Sequence, residues 1–526
     1  MPTQRELADQ LERRKATVRE MGGKQRVERQ HARGKLTARE RIALLFDRDS
    51  FEEFGILGKQ VGVDSPADAV VTGFGKIDGR FVGVAAYDFT VLGGSMGPTG
   101  EAKAARLRDL CLRHRRPVVW LVDSGGARIG SGSAVGGAGA ADEESGASTF
   151  ADTGALFREQ VILSGVVPQV AAMLGPGAAG TAYIPGLADF VPMVKGTSSM
   201  ALGGPYLVKA AVGEEVSEEE LGGSKVHCEI SGVADLEVPD DPACLAAVRK
   251  YLAYLPSHCE EPPPLRACDD PVEREDEALL DLVPDNPRRA YDVRKLVAIL
   301  ADEGDVFELK PRFARNLVTA FVRIGGRPVG VVANNPMHLG GVLDVDSADK
   351  AAKFVQICDA FGVPLLFLQD TPGFVIGSKV ERAGIIRHGA KMLHYVSAAT
   401  VPKLCVVVRK AYGAGYYAMN GRAYEPDAIW AWPTAEIAVM GPEGMVSIFA
   451  AKQLRELADD EERKRFIENA AQRIRRGINP YVPAIRGMID DVIDPRHTRR
   501  LVARALERAA TKRVERPWRK RGIVPV

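Results

Sequence analysis

The sequence predicts an α/β protein that contains one domain twice. One observation is a long internal repeat, and a second is the alternation of β-branched runs with amphipathic helical patterns inside each copy. The third is size, because 526 residues at ~150 residues per domain allow two to four domains with a substantial core. Together they favour an α/β class over all-α or all-β alternatives.

The repeat keeps a constant offset over its best-matched part. Residues 79–84 (GRFVGV) recur as residues 326–331 (GRPVGV), so the offset is 326 − 79 = 247, and no gap is needed from Gly79 to Gly126. A shifted register then matches three further pairs, which are Val167-Pro168 with Val401-Pro402, Ala179-Gly180 with Ala414-Gly415, and Gly204-Pro205 with Gly441-Pro442. So many ordered matches indicate a duplication.

Each copy shows the same elements in the same order. A β-branched strand (residues 81–87 and 329–333) leads through a Gly-Gly turn into an amphipathic helix. A continuous apolar strand follows and ends in a turn, PVVWLVDSGG in the first copy and PLLFLQDTPG in the second. Apolar residues on both faces of a strand are typical of α/β packing.

We predict three regions along the chain. They are an N-terminal domain (1–260), a linker rich in proline and acids (261–287) and a C-terminal domain (288–526). The helical segment 6–41 and the basic tail from Arg499 lie outside the repeat, and we expect solvated surface or subunit contacts for both.

Composition excludes several classes of protein. The net charge of +1 argues against nucleic-acid binding, which usually needs a basic excess. The seven cysteines include no C-x-x-C pair, so a zinc ribbon and a disulfide scaffold are disfavoured and a reducing cytosol fits. The start lacks a signal peptide, and prolines interrupt the long uncharged run 160–188. We therefore expect a cytoplasmic protein that does not cross a membrane.

Familiar catalytic motifs receive little support. The GPGAAG string (175–180) fits G-x-G-x-x-G, but Pro185 interrupts the following helix early and the repeat partner lacks the pattern. There is no Walker loop, and the eight histidines lack metal-ligand spacing. For His388 we expect a residue near the start of a helix that is satisfied by backbone, with acid–base chemistry as the alternative.

Two kinds of small-residue turn recur in both copies. Their amide N–H groups could converge on one negative oxygen, and losing one such donor typically costs ~3–4 kcal/mol of transition-state stabilisation. Close packing alone is the alternative explanation for small residues there. The first kind, the strand-end turn, contains Gly126 and Ala127 in the first copy and Gly373 and Phe374 in the second. The second kind, the helix-opening turn, contains Ala179 and Gly180 in the first copy and Ala414 and Gly415 in the second.

SGGARI (124–129) followed by the Ala179-Gly180 turn resembles the two oxyanion elements of the crotonase superfamily. More narrowly, the chain resembles the carboxyltransferase (β) subunits of biotin-dependent acyl-CoA carboxylases, which implies two tandem crotonase-like ββα-spiral domains. The matching motifs run nearly the whole chain in order and are GKLTARERIALLFD (34–47), DFTVLGGSMG (88–97), GGVLDVDSADKAAKF (340–354), DTPGF (370–374), GIIRHGAKML (384–393), RKAYGAGYYAM (409–419) and WPTAEIAVMGPEG (432–444).

The resemblance implies a mechanism without a catalytic histidine or serine. Carboxybiotin loses CO2, the freed ureido nitrogen removes the α-proton of the acyl-CoA, and the enolate attacks CO2. The resemblance assigns Ala179 and Gly180 to the enolate oxygen in the N-domain, which binds acyl-CoA. Ala414 and Gly415 would hold the ureido oxygen in the C-domain, which binds carboxybiotin. Gly126, Ala127, Gly373, Phe374 and Tyr417 become substrate-binding residues.

The resemblance also implies cofactors and partners. No M-K-M biotinylation motif is present, so a biotin carboxylase/biotin carrier (α) subunit supplies carboxybiotin in trans, and the substrate is a coenzyme A thioester. No metal is expected, because the four-cysteine ribbon of some acetyl-CoA carboxylase subunits is missing, which points to the propionyl/methylcrotonyl branch. In this family the active site lies between the N-domain of one subunit and the C-domain of another, commonly in a hexamer.

Substrate and direction stay open at this point. Propionyl-type chains often have Asp at the position of Tyr417 and methylcrotonyl-type chains have Tyr, whereas DVDSADKAAKF and GIIRHGAKML resemble the propionyl type. Three alternatives remain: a biotin-dependent acyl-CoA decarboxylase, a biotin-free crotonase-like hydratase or isomerase, and a non-catalytic structural subunit. The duplication and the retained turns weigh against the last two.

Overall fold

A computed structural model describes residues 2–128, 154–286, 289–457 and 459–526. The chain forms two compact units, Met1–Pro262 and Pro263–Val526. Ile129, the last residue of the SGGARI motif, lies outside the described residues. Within the described ranges, no helix is both long and apolar enough to cross a membrane.

The first unit is built on an eight-stranded mixed sheet. Its strands follow the order β1-β2-β3-β4-β5-β6-β8, and β7 pairs with β5. The first three strands pair antiparallel, and every pairing from β3 onward is parallel. The strands are β1 Glu52–Phe54, β2 Val70–Ile77, β3 Arg80–Tyr87, β4 Val118–Ser124, β5 Gln169–Ala178, β6 Pro192–Val194, β7 Ser199–Ala201 and β8 Leu236–Val238.

Helices connect the parallel strands, as parallel pairing requires. Thr37 and Glu40 form a capping box at α3, and Pro98 occupies the first turn of α4, where a missing N–H is tolerated. The helices are α1 Gln4–Arg19, α2 Lys24–Ala32, α3 Ala38–Leu45, α4 Pro98–His114, α5 Ala155–Leu163, α6 Tyr183–Leu187, α7 Pro205–Val212, α8 Glu218–Gly222 and α9 Asp241–Tyr254; a 3₁₀ segment, Ala179–Ala182, directly precedes α6.

The second unit repeats this topology. Its sheet has the order β16-β14-β13-β12-β11-β10-β9, and β15 pairs with β13 as β7 pairs with β5. The predicted α/β class and the internal duplication are therefore confirmed. The strands are β9 Phe307–Leu309, β10 Leu317–Ile324, β11 Arg327–Asn334, β12 Leu365–Thr371, β13 Lys403–Tyr412, β14 Ala428–Ala431, β15 Glu436–Ala438 and β16 Asp491–Val492.

The helices of the second unit follow the same plan, with additions near the C-terminus. Asp344 and Ser347 form the capping box of α12, the counterpart of α4. The helices are α10 Ala278–Leu282, α11 Val293–Leu300, α12 Val345–Ala360, α13 Ser378–Arg382, α14 Ile385–Ala398, α15 Gly413–Ala418, α16 Pro442–Phe449, α17 Ala451–Glu456, α18 Asp460–Gly477, α19 Tyr481–Ile485 and α20 Thr498–Arg508.

Strand register corrects one part of the predicted repeat. Val118 of β4 is paired with Gln169, and its counterpart Leu365 of β12 is paired with Lys403. The offset for β5 and β13 is thus 403 − 169 = 234, which matches Ala179 with Gly413 and Gly180 with Ala414. The pairing of Ala179-Gly180 with Ala414-Gly415 is therefore wrong by one residue.

Both cores close around the same contact between helix and sheet. A Cβ on Gly83 of β3 would lie 2.5 Å from the Cys111 sulfur, and a Cβ on Gly330 of β11 would lie 2.5 Å from the Cys358 sulfur. Both cysteines are fully buried. Because the cysteine side chain of each helix lies so close to the strand, only glycine fits there without a shift of that side chain.

Segments outside the repeat also contribute to the cores. Leu279 of α10, inside the 261–287 segment, is buried in the core of the second unit, which begins at Pro263. Arg499, at the start of the basic tail, is fully buried and donates to Leu300 O and Asp302 Oδ1, each at 2.6 Å. The tail therefore begins in the core of its own unit rather than on the solvated surface or at the subunit contact that we expected.

A buried lysine occupies the same place in each unit. Lys103 of α4 donates to Ala67 O (2.8 Å) and Val70 O (2.6 Å), and its counterpart Lys350 of α12 donates to Lys310 O (2.8 Å) and Leu317 O (2.7 Å). Each ammonium group thereby fixes the loop that leads into the antiparallel part of its sheet.

The stability of the first unit should depend on Lys103 in alkaline solution. Burial lowers the pKa of Lys103 from 10.5 to about 8. Between these values the unfolded chain keeps a proton that the folded chain has released, so stability should rise with pH by up to about 1.4 kcal/mol per unit. We expect the difference in unfolding free energy between the wild type and Lys103→Met, measured by urea unfolding, to show this rise with pH. Lys24→Met, at an exposed lysine, is the control, and a pH-independent difference would contradict the assignment.

Candidate active site

The strand-end turns of the two units have the same backbone geometry. Gly126 and Gly373 follow β4 and β12 with positive φ angles of 95° and 113°, which favour glycine. The Gly126 amide donates to Ser124 Oγ, and the Gly373 amide donates to Thr371 Oγ1, both at 3.2 Å. The amides of Gly126 and Gly373, which we expected to be available for a substrate oxygen, are therefore already hydrogen-bonded within their own turns.

The next residue in each turn presents its amide differently. Ala127 forms a bridge with Met96, and Phe374 forms the equivalent bridge with Leu343. The bridge bonds use the carbonyl of the preceding glycine and the amide of the following residue. Among the described residues, no acceptor faces the N–H of Ala127 or Phe374. As far as the described residues go, these two amides remain available to bind an oxygen.

The helix-opening turns are matched as well. Ala179 and Gly413, the first residues after β5 and β13, both have positive φ (51° and 56°). Gly180 and Ala414 come next, in the first helical turn, where N–H groups have no acceptor within their own helix. Gly413, not Ala414, is thus the counterpart of Ala179, which the sequence alignment missed.

The two kinds of turn touch each other within each unit. A Cβ on Gly126 would lie 2.8 Å from Ala178 O, and a Cβ on Gly373 would lie 3.3 Å from the equivalent Tyr412 O. Gly415 lies at the same junction, because a Cβ there would be 2.8 Å from Gly373 Cα. Each unit therefore places its strand-end turn in direct contact with its helix-opening turn.

A buried ionic cluster supports the strand-end turn of the first unit. Asp123, two residues before the turn, accepts from Lys35 Nζ (2.7 Å), Arg41 (2.8 Å) and Gln30 Nε2 (2.9 Å). Arg41 also donates to Asp241 Oδ2 (2.7 Å), and both ionic partners of Asp123 are almost completely buried. Paired and fully bonded, these charges fix the end of β4.

The second unit supports its turn with a smaller cluster. Asp370, the counterpart of Asp123, accepts from Arg409 Nε (2.9 Å), and the Arg409 guanidinium lies 5.1 Å from the Tyr291 ring centroid. Burial raises the pKa of Asp370, while Arg409 opposes that shift. Asp123 and Asp370 were matched from sequence, but their partners were not predicted, since they come from unrelated segments.

A polar chain runs under the helix-opening turn of the second unit. The Tyr412 hydroxyl donates to Glu436, and burial together with that carboxylate raises the pKa of Tyr412. Arg475 of α18 lies 3.5 Å from Glu436 and donates to Glu443 Oε1 of α16 at 2.6 Å. The chain ties two helices to the residue that precedes Gly413.

Half-exposed tyrosines lie beside both helix-opening turns. Tyr183 and Tyr417 are counterparts at the 234-residue offset, with 48% and 45% of their surface exposed. Tyr183 packs edge-on against Phe157, and Tyr417 packs edge-on against Tyr416, both with ring centroids 5.4 Å apart. Tyr183 was not singled out from sequence, although the corrected offset identifies it.

His388 has a partner that the sequence did not suggest. It lies inside α14 rather than being satisfied by backbone, and its Nδ1 is 2.9 Å from both carboxylate oxygens of Asp349. Lys391 donates to the same carboxylate at 2.9 Å. Gly389 packs against Phe374, with 3.1 Å from an added Cβ to the ring. The acid–base alternative for His388 therefore starts from an imidazole whose Nδ1 lies at hydrogen-bond distance from Asp349.

The chemistry of this arrangement is electrostatic. Convergent N–H groups in a preorganised turn stabilise an oxygen that gains negative charge, such as an enolate. In the described part of the chain, no group of three or more His, Cys, Asp or Glu side chains is arranged to hold a metal ion.

Comparisons with known proteins decide the family. A profile of the carboxyl transferase domain family matches residues 29–524. The chain belongs to this family. The propionyl-CoA carboxylase beta chain of Roseobacter denitrificans is 44% identical over 529 residues, covering 99% of this chain and 100% of that one. The methylmalonyl-CoA decarboxylase subunit alpha of Veillonella parvula is 42% identical over 533 residues and covers both chains completely.

A solved structure agrees with this assignment. The transcarboxylase 12S structure, described as a hexamer with methylmalonyl-coenzyme A and methylmalonic acid bound, matches with a TM-score of 0.91 and 43% identity. The alignment covers 100% of this chain and 99% of that one. The resemblance inferred from the motifs and the crotonase-like fold with two similar domains are therefore confirmed.

Proposed function

We propose that this chain transfers CO2 from carboxybiotin to the α- or vinylogous carbon of an acyl-CoA. The observation that supports it best is the duplicated pair of amides, Ala127 with Gly180 in one unit and Phe374 with Ala414 in the other. Two independent oxyanion sites suit a reaction with two oxygens to bind, a thioester oxygen and a ureido oxygen. A biotin-free hydratase or isomerase would need one.

The residues divide this work between the units. In the first unit, the amides of Ala127 and Gly180 hold the thioester oxygen as it becomes an enolate, and Ala179 gives the turn its left-handed backbone. In the second unit, the amides of Phe374 and Ala414 suit the ureido oxygen, and Gly413 takes the place of Ala179. Gly126, Gly373 and Gly415 keep the turns in contact. Because unpaired amides are good donors to a charged oxygen, the site fits both groups.

Biotin, when bound, supplies the carboxyl group and the base, so no side chain of this chain has to act as nucleophile. The chain's own part is to bind and orient the thioester, to lower the pKa of its α-proton through the oxyanion amides, and to exclude water.

The assembly follows from the family. The chain is the β subunit that acts with a biotin carboxylase/biotin carrier partner on a CoA thioester, in a hexamer like that of the transcarboxylase 12S structure. A cytoplasmic location completes the proposal. It is supported by the described cysteines, all of which are free thiols.

Co-purification with biotinylated partners tests the proposal. The chain is expressed with candidate biotin carboxylase and carrier subunits, and the complex is incubated with ATP, labelled bicarbonate and a panel of acyl-CoA thioesters. We expect ATP-dependent and avidin-sensitive incorporation of label into an acyl-CoA. A well-assembled complex that labels none of them would refute carboxylation.

The reverse direction is a second candidate, favoured by the full-length match to the Veillonella decarboxylase subunit. The same amides would hold the same enolate while CO2 leaves. A complex that releases CO2 from a carboxylated acyl-CoA without ATP, and fixes no bicarbonate with ATP, would establish this direction.

Tyr417 should influence which acyl-CoA reacts. Its ring is half exposed next to the helix-opening turn, so Tyr417→Asp replaces an aromatic surface by a charge and should shift the acyl-CoA preference several-fold. Relative kcat/KM values over the acyl-CoA panel measure the shift. Tyr206→Asp, at a fully solvated tyrosine of α7, is the control. An unchanged profile would remove Tyr417 from the pocket.

A further inference from the structure

An apolar groove lies next to Gly180 on the surface of the first unit. It has a volume of about 520 Å³, within the range of small-molecule sites. Helices α5 and α6 form its walls. Its lining contains a single charged residue and consists of Phe157, Arg158, Val161, Ile162, Tyr183 and Leu187.

The groove begins at the residue that is proposed to hold the thioester oxygen. A Cβ on Gly180 would lie 3.7 Å from Phe157 Cζ, which is van der Waals contact. The Phe157 ring packs edge-on against Tyr183, with centroids 5.4 Å apart. A thioester oxygen at the Gly180 amide therefore has an aromatic wall within reach of its acyl chain.

The walls of the groove are preformed. Gln160 is fully buried in α5 and donates to Ile184 O of α6 at 3.2 Å, which fixes the two helices together. Leu156 and Leu163 anchor α5 in the core. On the opposite side of the same helix, Val161 and Ile162 expose 57% and 42% of their surface. An exposed apolar surface anchored in this way marks an interaction site, and its position beside Gly180 favours a ligand.

The corresponding helix of the second unit has a different character. At the 234-residue offset, Lys391 of α14 takes the place of Phe157 of α5, and Lys391 donates to Asp349 at 2.9 Å. The two halves have thus diverged, and the apolar groove belongs to the half that is proposed to bind the thioester.

We infer that this groove holds the acyl chain of the substrate, and that the substrate class is medium-chain acyl-CoA, about six to ten carbons long. The inference rests on the proposed function and names its substrate. A propionyl group has one methyl beyond its α-carbon and would leave most of the groove in water. A longer chain would cover Phe157, Val161 and Ile162 and gain their hydrophobic contact.

The test uses the complete complex with its biotinylated partners. The kcat/KM values are measured for straight-chain acyl-CoA substrates from acetyl to decanoyl. We expect a rise of about fourfold per added methylene from propionyl to octanoyl. Val161→Trp should obstruct the groove, lowering kcat/KM for octanoyl-CoA about tenfold and leaving propionyl-CoA within about twofold. Val212→Trp, at an exposed valine of α7 outside the groove, should change neither.

Calorimetric titration of the chain with octanoyl-CoA and propionyl-CoA gives a second readout that does not need turnover. Val161→Trp should weaken octanoyl-CoA binding alone. A flat chain-length profile, or equal losses for both substrates, would overturn the groove assignment while carboxylation itself stands. An unchanged profile with altered sedimentation of Val161→Trp would make the groove an interface between copies and also overturn it. Failure of the wild type on every acyl-CoA would instead refute the proposed function, and this inference with it.

Discussion

Gly126→Ala should lower kcat for carboxyl transfer about 100-fold. The added methyl carbon would lie 2.8 Å from Ala178 O, closer than real Cβ contacts, and the obstacle is backbone. The strand-end turn must therefore move away from the helix-opening turn, so the amides of Ala127 and Gly180 no longer meet at one oxygen. Losing one oxyanion donor typically costs two to three orders of magnitude in kcat.

A matched control separates this effect from backbone strain. Gly79 also has a positive φ, 77° against 95° for Gly126, but a Cβ there meets nothing within 4 Å. Both alanine variants should lose about 1–2 kcal/mol of stability from the left-handed backbone, and only Gly126→Ala should lose activity. Steady-state kinetics and urea unfolding measure both. Equal activities of the two variants would show that the contact between the turns has no part in catalysis.

The same substitution in the second unit should act more weakly. A Cβ on Gly373 would lie 3.3 Å from Tyr412 O, a distance that a small adjustment can relieve. We therefore expect Gly126→Ala to lose more activity than Gly373→Ala, because its added methyl carbon lies closer to the opposing backbone oxygen (2.8 Å against 3.3 Å).

Much of the fold could be predicted from the sequence because duplication doubles the evidence. Asp123 and Asp370, or Cys111 and Cys358, keep one offset of 247 residues, and buried strands beside amphipathic helices leave the α/β class as the natural solution. Small residues could be expected at the four turns because a close approach of two backbones excludes side chains.

The register of the helix-opening turn could not be predicted, because the information lies in the backbone. Runs of glycine and alanine allow two alignments that differ by one residue. The positive φ shared by Ala179 and Gly413 decides between them, and an alanine in a left-handed conformation leaves no mark in the sequence.

Charge networks were missed for a different reason. Asp123 meets Arg41, which lies 82 residues before it, and Arg41 also donates to Asp241 near the end of the unit. His388 meets Asp349, 39 residues away, on a neighbouring helix. Such pairs depend on tertiary packing, and neither spacing nor periodicity contains them.

Arg41→Met should destabilise the first unit by about 3–5 kcal/mol, the usual cost of removing one partner from a buried ionic cluster. Arg41 donates to Asp123, to Asp241 and to Leu174 O (3.0 Å), so its loss leaves acceptors buried with fewer donors. Methionine fills a similar volume, which limits the contribution of a cavity. Pulsed hydrogen exchange of β4 in urea measures the unfolding free energy of this unit.

The exposed pair of Arg463 and Asp460 supplies the control, since Arg463→Met should change stability by less than about 1 kcal/mol. If Arg41→Met cost no more than this control, the cluster would not stabilise the unit. Activity adds a second constraint, because Asp123 lies two residues before Gly125 and holds the end of β4. The variant should then lose kcat at temperatures where it is still folded, whereas a purely global effect would lower activity only in proportion to the unfolded fraction. The proposed site uses backbone amides alone. The position of these amides therefore depends on the buried charges of Asp123, Lys35 and Arg41, which hold the end of β4.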